Sequence, residues 1–298
     1  MATLRQWVDG ARPRTLPAAI APVLVGSGFA GYADSFLPAR AFLALIVALG
    51  LQVGVNYAND YSDGIKGTDR VRVGPVRLVG QGLARPTAVR AAAWIAMGVA
   101  MAAGLGLVLL TAAWWLLAVG AACVVAAWLY TGGPAPYGYR GLGEVFVFCF
   151  FGIVPVLGTM YVQAGSVTAA AACASAAVGF IICDVLVANN LRDIPTDTAT
   201  GKRTLAVRLG DSRTRSLYLV LIAAATVATV LAAALSTWWL LLGLVGLLPV
   251  IGPARAIHSR VSGPGLIPVL KQTGIVVLAF GLAATLGLLI GTLTRSLG

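Results

Sequence analysis

The chain alternates between long apolar stretches and short polar connections. Nine of these stretches approach or exceed the roughly 20 apolar residues that cross a bilayer as a helix. They lie at residues 15–34, 39–59, 87–110, 112–131, 143–164, 168–190, 214–235, 237–254 and 272–293. A helix satisfies the backbone hydrogen bonds of such a segment inside lipid. The pattern therefore predicts an all-α integral membrane protein with nine transmembrane helices, forming a single membrane domain over residues 1–298.

Composition supports this prediction, because 59% of the 298 residues are hydrophobic and only 10% are charged, against about 25% charged in soluble domains. The four cysteines are scattered through apolar stretches, which argues against a zinc site or a disulfide framework. The net charge of +11 is unevenly distributed: with nine spans, 19 of the 21 Lys and Arg residues fall on the side of the N-terminus. Only Arg40 and Arg295 fall on the other side.

The positive-inside rule makes the crowded side cytoplasmic, with the N-terminus inside and the C-terminus outside. The basic charge thus reflects topology. Its expected partner is anionic membrane lipid, and nucleic acid is not expected. We expect an integral protein of a bacterial cell membrane, with its active site facing the cytoplasm; the oligomeric state is not readable.

The two longest cytoplasmic connections resemble each other. The first contains NYANDYSDGIKGTD and the second NNLRDIPTDTATGKRTL. Each has Asn-x-x-x-Asp, then a further Asp, then a Lys beside a Gly, and the matching Asp63 and Asp193 are 130 residues apart. This predicts two related halves, roughly 15–131 and 143–254, followed by a ninth helix at 272–293.

The acidic residues of these two motifs predict a cation site. Asn59 and Asp63 are four residues apart, as are Asp193 and Asp197, so each pair shares one helix face. Carboxylates at the end of a membrane span are costly unless paired, ion-bound or facing water. An all-oxygen donor set suits magnesium, which commonly binds carboxylates together with substrate phosphates. The candidate phosphate contacts nearby are Lys66, Arg72, Arg77, Arg192, Lys202 and Arg203.

The two motifs resemble the signature motifs of the UbiA superfamily of intramembrane prenyltransferases. The resemblance covers nearly the whole chain and includes ARPRTLPAAIAPVLVG, GPVRLVGQGL and YTGGPAPYGYRGLGEVFVFCFFG. The last segment points to the branch that prenylates 1,4-dihydroxy-2-naphthoate in menaquinone biosynthesis. The resemblance implies nine helices around a central cavity. It also implies magnesium-dependent transfer of a polyprenyl group from its diphosphate to the naphthoate, with decarboxylation, giving demethylmenaquinone.

The resemblance also implies roles for individual residues. Two magnesium ions are expected on Asn59, Asp63, Asp69, Asp193 and Asp197. The diphosphate is expected to contact Lys66, Arg72, Asn189 and Lys202. The expected catalytic set is Asp63, Asp193, Lys66 and Tyr139. Asp60 lies inside the first motif and is expected to support the ligands without binding metal.

The acceptor site is predicted from the connection between spans four and five and from the N-terminal segment. Tyr137 and Tyr139 are interpreted either as shields for an allylic cation or as members of an interfacial aromatic belt. Arg14 and Arg140 are candidates for the acceptor carboxylate. Glu144, the only glutamate, either positions an acceptor hydroxyl or complements a helix N-terminus.

Other functions were weighed against this one. Asp60-x-x-Asp63-Gly64 matches the start of the CDP-alcohol phosphatidyltransferase motif, but Gly67-Thr68 stand where that motif needs Ala-Arg. A transporter also uses intramembrane carboxylates, but its sites tend to lie near the bilayer midplane, whereas these motifs end spans on the basic side. Within the superfamily, 4-hydroxybenzoate or haem remains an alternative acceptor.

Overall fold

The computed structural model describes residues 2–67 and 76–297, and every regular element in these two ranges is helical. Ten helices of at least 8 residues follow one another along the described chain. They are α1 (Leu4–Ala11), α2 (Pro17–Tyr32), α3 (Pro38–Lys66), α4 (Pro86–Thr111), α5 (Leu116–Leu129), α6 (Gly143–Ala164), α7 (Ala169–Ala199), α8 (Leu205–Ala234), α9 (Trp238–His258) and α10 (Leu266–Leu297).

Each predicted span overlaps one of these helices, but the count of nine is only partly met. By length and composition, seven helices of the described residues can cross a membrane, or eight if Leu4–Thr15 and Pro17–Tyr32, joined at a 48° bend, form one span. The exception is α5, which has 14 residues. It rises about 21 Å, less than the roughly 30 Å of a bilayer core. The interpretation as two related halves stays a prediction.

Two helices continue beyond the predicted membrane spans in a way that matters for the site. The predicted second span ended at residue 59, but α3 continues to Lys66, where Gly67 ends it in the left-handed conformation with a φ of 71°. The predicted sixth span ended at residue 190, but α7 continues to Ala199. Polar side chains do not stop a helix whose other faces pack against protein. Residues 59–66 of the first motif and 189–199 of the second therefore lie on helical extensions of the spans, in agreement with the shared helix faces predicted for Asn59 and Asp63 and for Asp193 and Asp197. The short helix α1 was also missed.

The helices of the chain pack closely against one another. α7 packs along α8, α3 along α4, and α2 along α10. At the contact between α6 and α7, a Cβ atom added to Gly152 would lie only 2.4 Å from the Cα atom of Gly179. Small residues permit this approach, as is usual for helices packed in lipid. α7 is buried over most of its length and carries the second motif at its end.

Candidate active site

A large chamber lies inside the helical bundle and has a volume of about 1280 Å³. Its wall includes residues of α3 from Asp63 to Ala44, a distance of about 28 Å along the helix at about 1.5 Å per residue. The end near Asp63 is polar. The remainder is lined mainly by apolar residues of α3, α4, α5 and α6. The chamber thus offers one charged end and one long apolar body.

The first motif lies at the polar end, on α3. The Oδ1 atom of Asp63 accepts a hydrogen bond of 2.5 Å from the Tyr139 hydroxyl. Its Oδ2 atom lies 3.3 Å from the Lys202 Nζ atom. Asn59 accepts a 2.8 Å hydrogen bond from the Thr131 hydroxyl. Since Lys202 belongs to the second motif, its contact with Asp63 brings the two motifs together.

The predicted catalytic residues Lys66 and Tyr139 are neighbours. The Lys66 Nζ atom donates to the Thr131 carbonyl at 2.7 Å. It lies 5.1 Å from the centre of the Tyr139 ring, and the Lys202 Nζ atom lies 4.7 Å from the same centre. A tyrosine ring near two ammonium groups stabilises both through its π-electrons. Of the two lysines, Lys202 lines the chamber, whereas Lys66 is exposed and absent from the chamber wall.

Asp60 points away from this group. It is only 1% exposed and is absent from the chamber wall. Its carboxylate accepts hydrogen bonds from the backbone N–H groups of Leu78 at 2.7 Å and Val79 at 3.0 Å. Asp60 therefore anchors the segment that precedes α4, and the neighbouring Arg77 is buried and lines the chamber.

The second motif lies on the last turns of α7. The Arg192 guanidinium donates to both Asp193 oxygens, at 2.7 and 2.9 Å, and to Asn189 Oδ1 at 2.8 Å. Asn189, Arg192 and Asp197 line the chamber, whereas Asp193 does not. The end of α7 thus exposes the Arg192 guanidinium to the chamber, whereas the Asp193 carboxylate lies outside the chamber wall.

The described part of the chain contains some of the predicted magnesium ligands. No three His, Cys, Asp or Glu side chains within residues 2–67 and 76–297 are grouped so that they could hold a metal ion. Asp69 and Arg72 lie outside the described residues. The donor chemistry nevertheless fits magnesium, because Asn59, Asp63 and Asp197 bring only oxygen ligands to one chamber. Lys202 and Arg192 line the same chamber, and their positive charges suit the diphosphate expected beside the ions.

The residues predicted for the acceptor fall into two groups. Arg14 and Tyr137 line the chamber. The Tyr137 hydroxyl donates to the Ala126 carbonyl at 2.8 Å, and burial raises the pKa of this phenol, which keeps it a neutral donor. Arg140 is exposed, and neither it nor Glu144 lines the chamber. Glu144 instead accepts a 2.9 Å hydrogen bond from the Asn190 amide, which does line it.

Several chamber residues were missed from the sequence. Gln52 and Asn56 both donate to the Thr15 hydroxyl, at 2.9 and 3.0 Å. Together with Asn59 and Asp63 they form one polar stripe on α3, at positions i, i+4, i+7 and i+11. That spacing within an apolar span was the signal that could have revealed them.

The family model described as "UbiA prenyltransferase family" matches residues 19–264, which include both acidic motifs and the chamber wall between them. The chain belongs to the UbiA prenyltransferase family. Its helices and its largely apolar chamber with one polar end are thus those of an intramembrane prenyltransferase of this family.

Among curated relatives of this UbiA family member, the 1,4-dihydroxy-2-naphthoate octaprenyltransferase of Mycobacterium tuberculosis is 53% identical over 99% of the chain and 100% of the relative. The Escherichia coli protein of the same name is 36% identical, covering 90% of the chain and 89% of the relative. Among solved structures, a UbiA homolog from Archaeoglobus fulgidus bound to GPP and Mg2+ matches with a TM-score of 0.66. The two sequences are 14% identical, and the match covers 95% of this chain and 99% of the homolog. The likeness therefore supports the helical fold of this chain.

Proposed function

We propose that this protein transfers a polyprenyl group from its diphosphate to 1,4-dihydroxy-2-naphthoate, in a magnesium-dependent reaction that belongs to menaquinone biosynthesis. The names of the relatives support the choice of acceptor. The observation that carries the proposal is the 3.3 Å contact between Lys202 and Asp63, which joins the two motifs at the polar end of an apolar chamber. That arrangement suits a substrate with a charged head and a long hydrocarbon tail.

In this proposal the two magnesium ions are held by oxygen atoms of Asn59, Asp63, Asp69, Asp193 and Asp197. When bound, the ions neutralise charge that develops on the departing diphosphate. Lys66, Arg72, Asn189 and Lys202 contact the diphosphate. Asp60, which faces away from the chamber, is not a ligand.

The protein's own residues then favour ionisation of the allylic C–O bond. Its electron pair leaves with the diphosphate, next to Lys66 and Lys202, and positive charge stays on the prenyl group. The apolar wall excludes water that would capture this cation, and Tyr139, which lines the chamber, is the aromatic side chain proposed to shield it. The ring carbon that bears the naphthoate carboxylate forms the new C–C bond. The bond between this ring carbon and the carboxylate then breaks: carbon dioxide leaves, and the bonding electron pair returns to the ring. The product is demethylmenaquinol, the reduced form of demethylmenaquinone.

The topology also belongs to this proposal. The N-terminus and the polar end of the chamber face the cytoplasm, where a soluble aromatic acid and magnesium are present. The nine helices α2 to α10 cross the bilayer. Among them α5, with 14 residues, is the shortest and forms part of the chamber wall. Arg14 and Tyr137, which line the chamber, contact the acceptor. Arg140 and Glu144 remain predicted acceptor residues, although neither lines the chamber. Glu144 is connected to the chamber wall by its hydrogen bond with Asn190.

The test is a transfer assay with the purified protein in lipid nanodiscs. Polyprenyl diphosphate and 1,4-dihydroxy-2-naphthoate with magnesium are expected to give a decarboxylated, prenylated product by mass spectrometry, and EDTA is expected to abolish it. Asp63→Ala and Asp193→Ala are expected to lose product while the protein still inserts into the membrane. Product only with 4-hydroxybenzoate or haem would move the proposal to that acceptor. Near-normal turnover of either variant would refute the assigned carboxylates.

A further inference from the structure

Arg192 occupies an unusual position for a residue next to a predicted metal ligand. Its side chain lines the chamber, whereas Asp193 lies behind it and is only 4% exposed. Two hydrogen bonds, of 2.7 and 2.9 Å, connect the guanidinium to both oxygens of that carboxylate. A third, of 2.8 Å, connects it to the Asn189 amide oxygen. The guanidinium therefore covers Asp193 on the chamber side.

This arrangement opposes the entry of a lone metal ion. A cation that approaches Asp193 from the chamber meets the buried guanidinium first, and like charges repel strongly where water is scarce. Both Asp193 oxygens already accept charge-assisted hydrogen bonds, which are stronger than neutral ones. A metal ion alone offers the displaced guanidinium no new partner.

A diphosphate changes this balance. Its oxygens are the partners that a guanidinium binds bidentately. The Asp193 carboxylate, once uncovered, gains the metal that the diphosphate carries. One exchange of partners therefore satisfies both groups, since the arginine moves from a carboxylate to a phosphate and the carboxylate moves from the arginine to the metal.

We propose that Arg192 couples metal binding to diphosphate binding. It covers Asp193 in the empty site and transfers to the diphosphate when metal and diphosphate arrive together. The inference rests on the proposed function for the nature of the substrate. It goes further by making Arg192 the residue that prevents metal from binding Asp193 before the substrate does.

The experiment measures Mn2+ binding to the full-length protein in nanodiscs, by electron paramagnetic resonance of the free ion, without diphosphate. Arg192→Gln is expected to bind Mn2+ at least about tenfold more tightly than the unchanged protein, because the ion no longer competes with two charge-assisted hydrogen bonds for the Asp193 carboxylate. Arg192→Lys keeps the charge but loses the fork, so a smaller increase is expected. Addition of a non-reactive geranyl thiolodiphosphate is expected to reduce the difference between the proteins.

Arg215→Gln is the matched control. Arg215 is also buried and also binds both oxygens of a carboxylate, Asp211, at 2.8 and 2.9 Å, but it does not line the chamber. Its replacement is expected to leave Mn2+ affinity unchanged. Equal or weaker Mn2+ binding by Arg192→Gln overturns the inference. If that variant does not fold, the same result with Arg192→Lys overturns it.

The prenyl transfer assay separates this inference from the proposed function. If the unchanged protein transfers a prenyl group but the Arg192 variants bind Mn2+ no more tightly, the coupling role alone is wrong. If the variants bind Mn2+ as expected but the unchanged protein forms no prenylated product, the proposed function alone is wrong.

Discussion

Replacement of Asp60 tests whether this residue anchors backbone or binds metal. Its carboxylate accepts two buried backbone N–H groups, from Leu78 and Val79, and Leu78 is fully buried. Hydrogen bonds to a charged group contribute about 1.5–3 kcal/mol each, so Asp60→Ala is expected to cost about 3–6 kcal/mol of unfolding free energy. Because Asn keeps one acceptor oxygen, Asp60→Asn is expected to lose roughly half of that amount.

The assay is thermal unfolding followed by tryptophan fluorescence. At roughly 2 °C per kcal/mol for a chain of this size, Asp60→Ala is expected to lower the melting temperature by about 6–12 °C. The KM for prenyl diphosphate is expected to rise, because Arg77 directly precedes the anchored residues and lines the chamber.

Asp34→Ala is the control for this experiment. Asp34 forms an exposed ion pair with Arg295, and such pairs are worth about 0–1 kcal/mol. An unchanged melting temperature for Asp60→Ala, together with loss of Mn2+ binding in the presence of thiolodiphosphate, would identify Asp60 as a metal ligand and refute the reasoning.

Two further predictions concern glycines. Gly120 and Gly158 line the chamber, and a Cβ atom at either position meets open space. Leucine at these positions is therefore expected to lower the transfer rate with long prenyl diphosphates relative to geranyl diphosphate. Gly98→Leu is the control, because a Cβ atom there also meets open space but Gly98 lies outside the chamber wall; it should leave the ratio of the rates with long and short prenyl diphosphates unchanged. If this ratio is unchanged in all three leucine variants, the prenyl tail does not occupy this part of the chamber. Gly152→Ala is expected to lower the unfolding free energy by about 1–3 kcal/mol, because its Cβ atom overpacks against Gly179. Thermal unfolding measures this loss, with Gly98→Ala as the control. Equal melting temperatures for the two variants would contradict the close helix contact.

The sequence by itself determined the membrane-spanning class and indicated a cation site made of oxygen ligands. A chain with 59% hydrophobic residues and long apolar stretches has to form helices in lipid, because no water is present there to satisfy its backbone. The repeated Asn-x-x-x-Asp pattern also indicated oxygen ligands on one face of each of two helices. These conclusions depend only on composition and local periodicity, which the sequence contains in full.

Tertiary structure decided what each polar side chain faces. Asp60 and Asp63 belong to one motif, yet Asp63 lines the chamber while Asp60 binds backbone behind it. Arg192 and Asp193 are adjacent in sequence, yet only the arginine reaches the chamber. Helical periodicity places a residue on a face, but the neighbour of that face comes from segments distant in sequence, as Lys202 does for Asp63. The fold therefore separates anchors from ligands by long-range packing, which a local pattern does not encode.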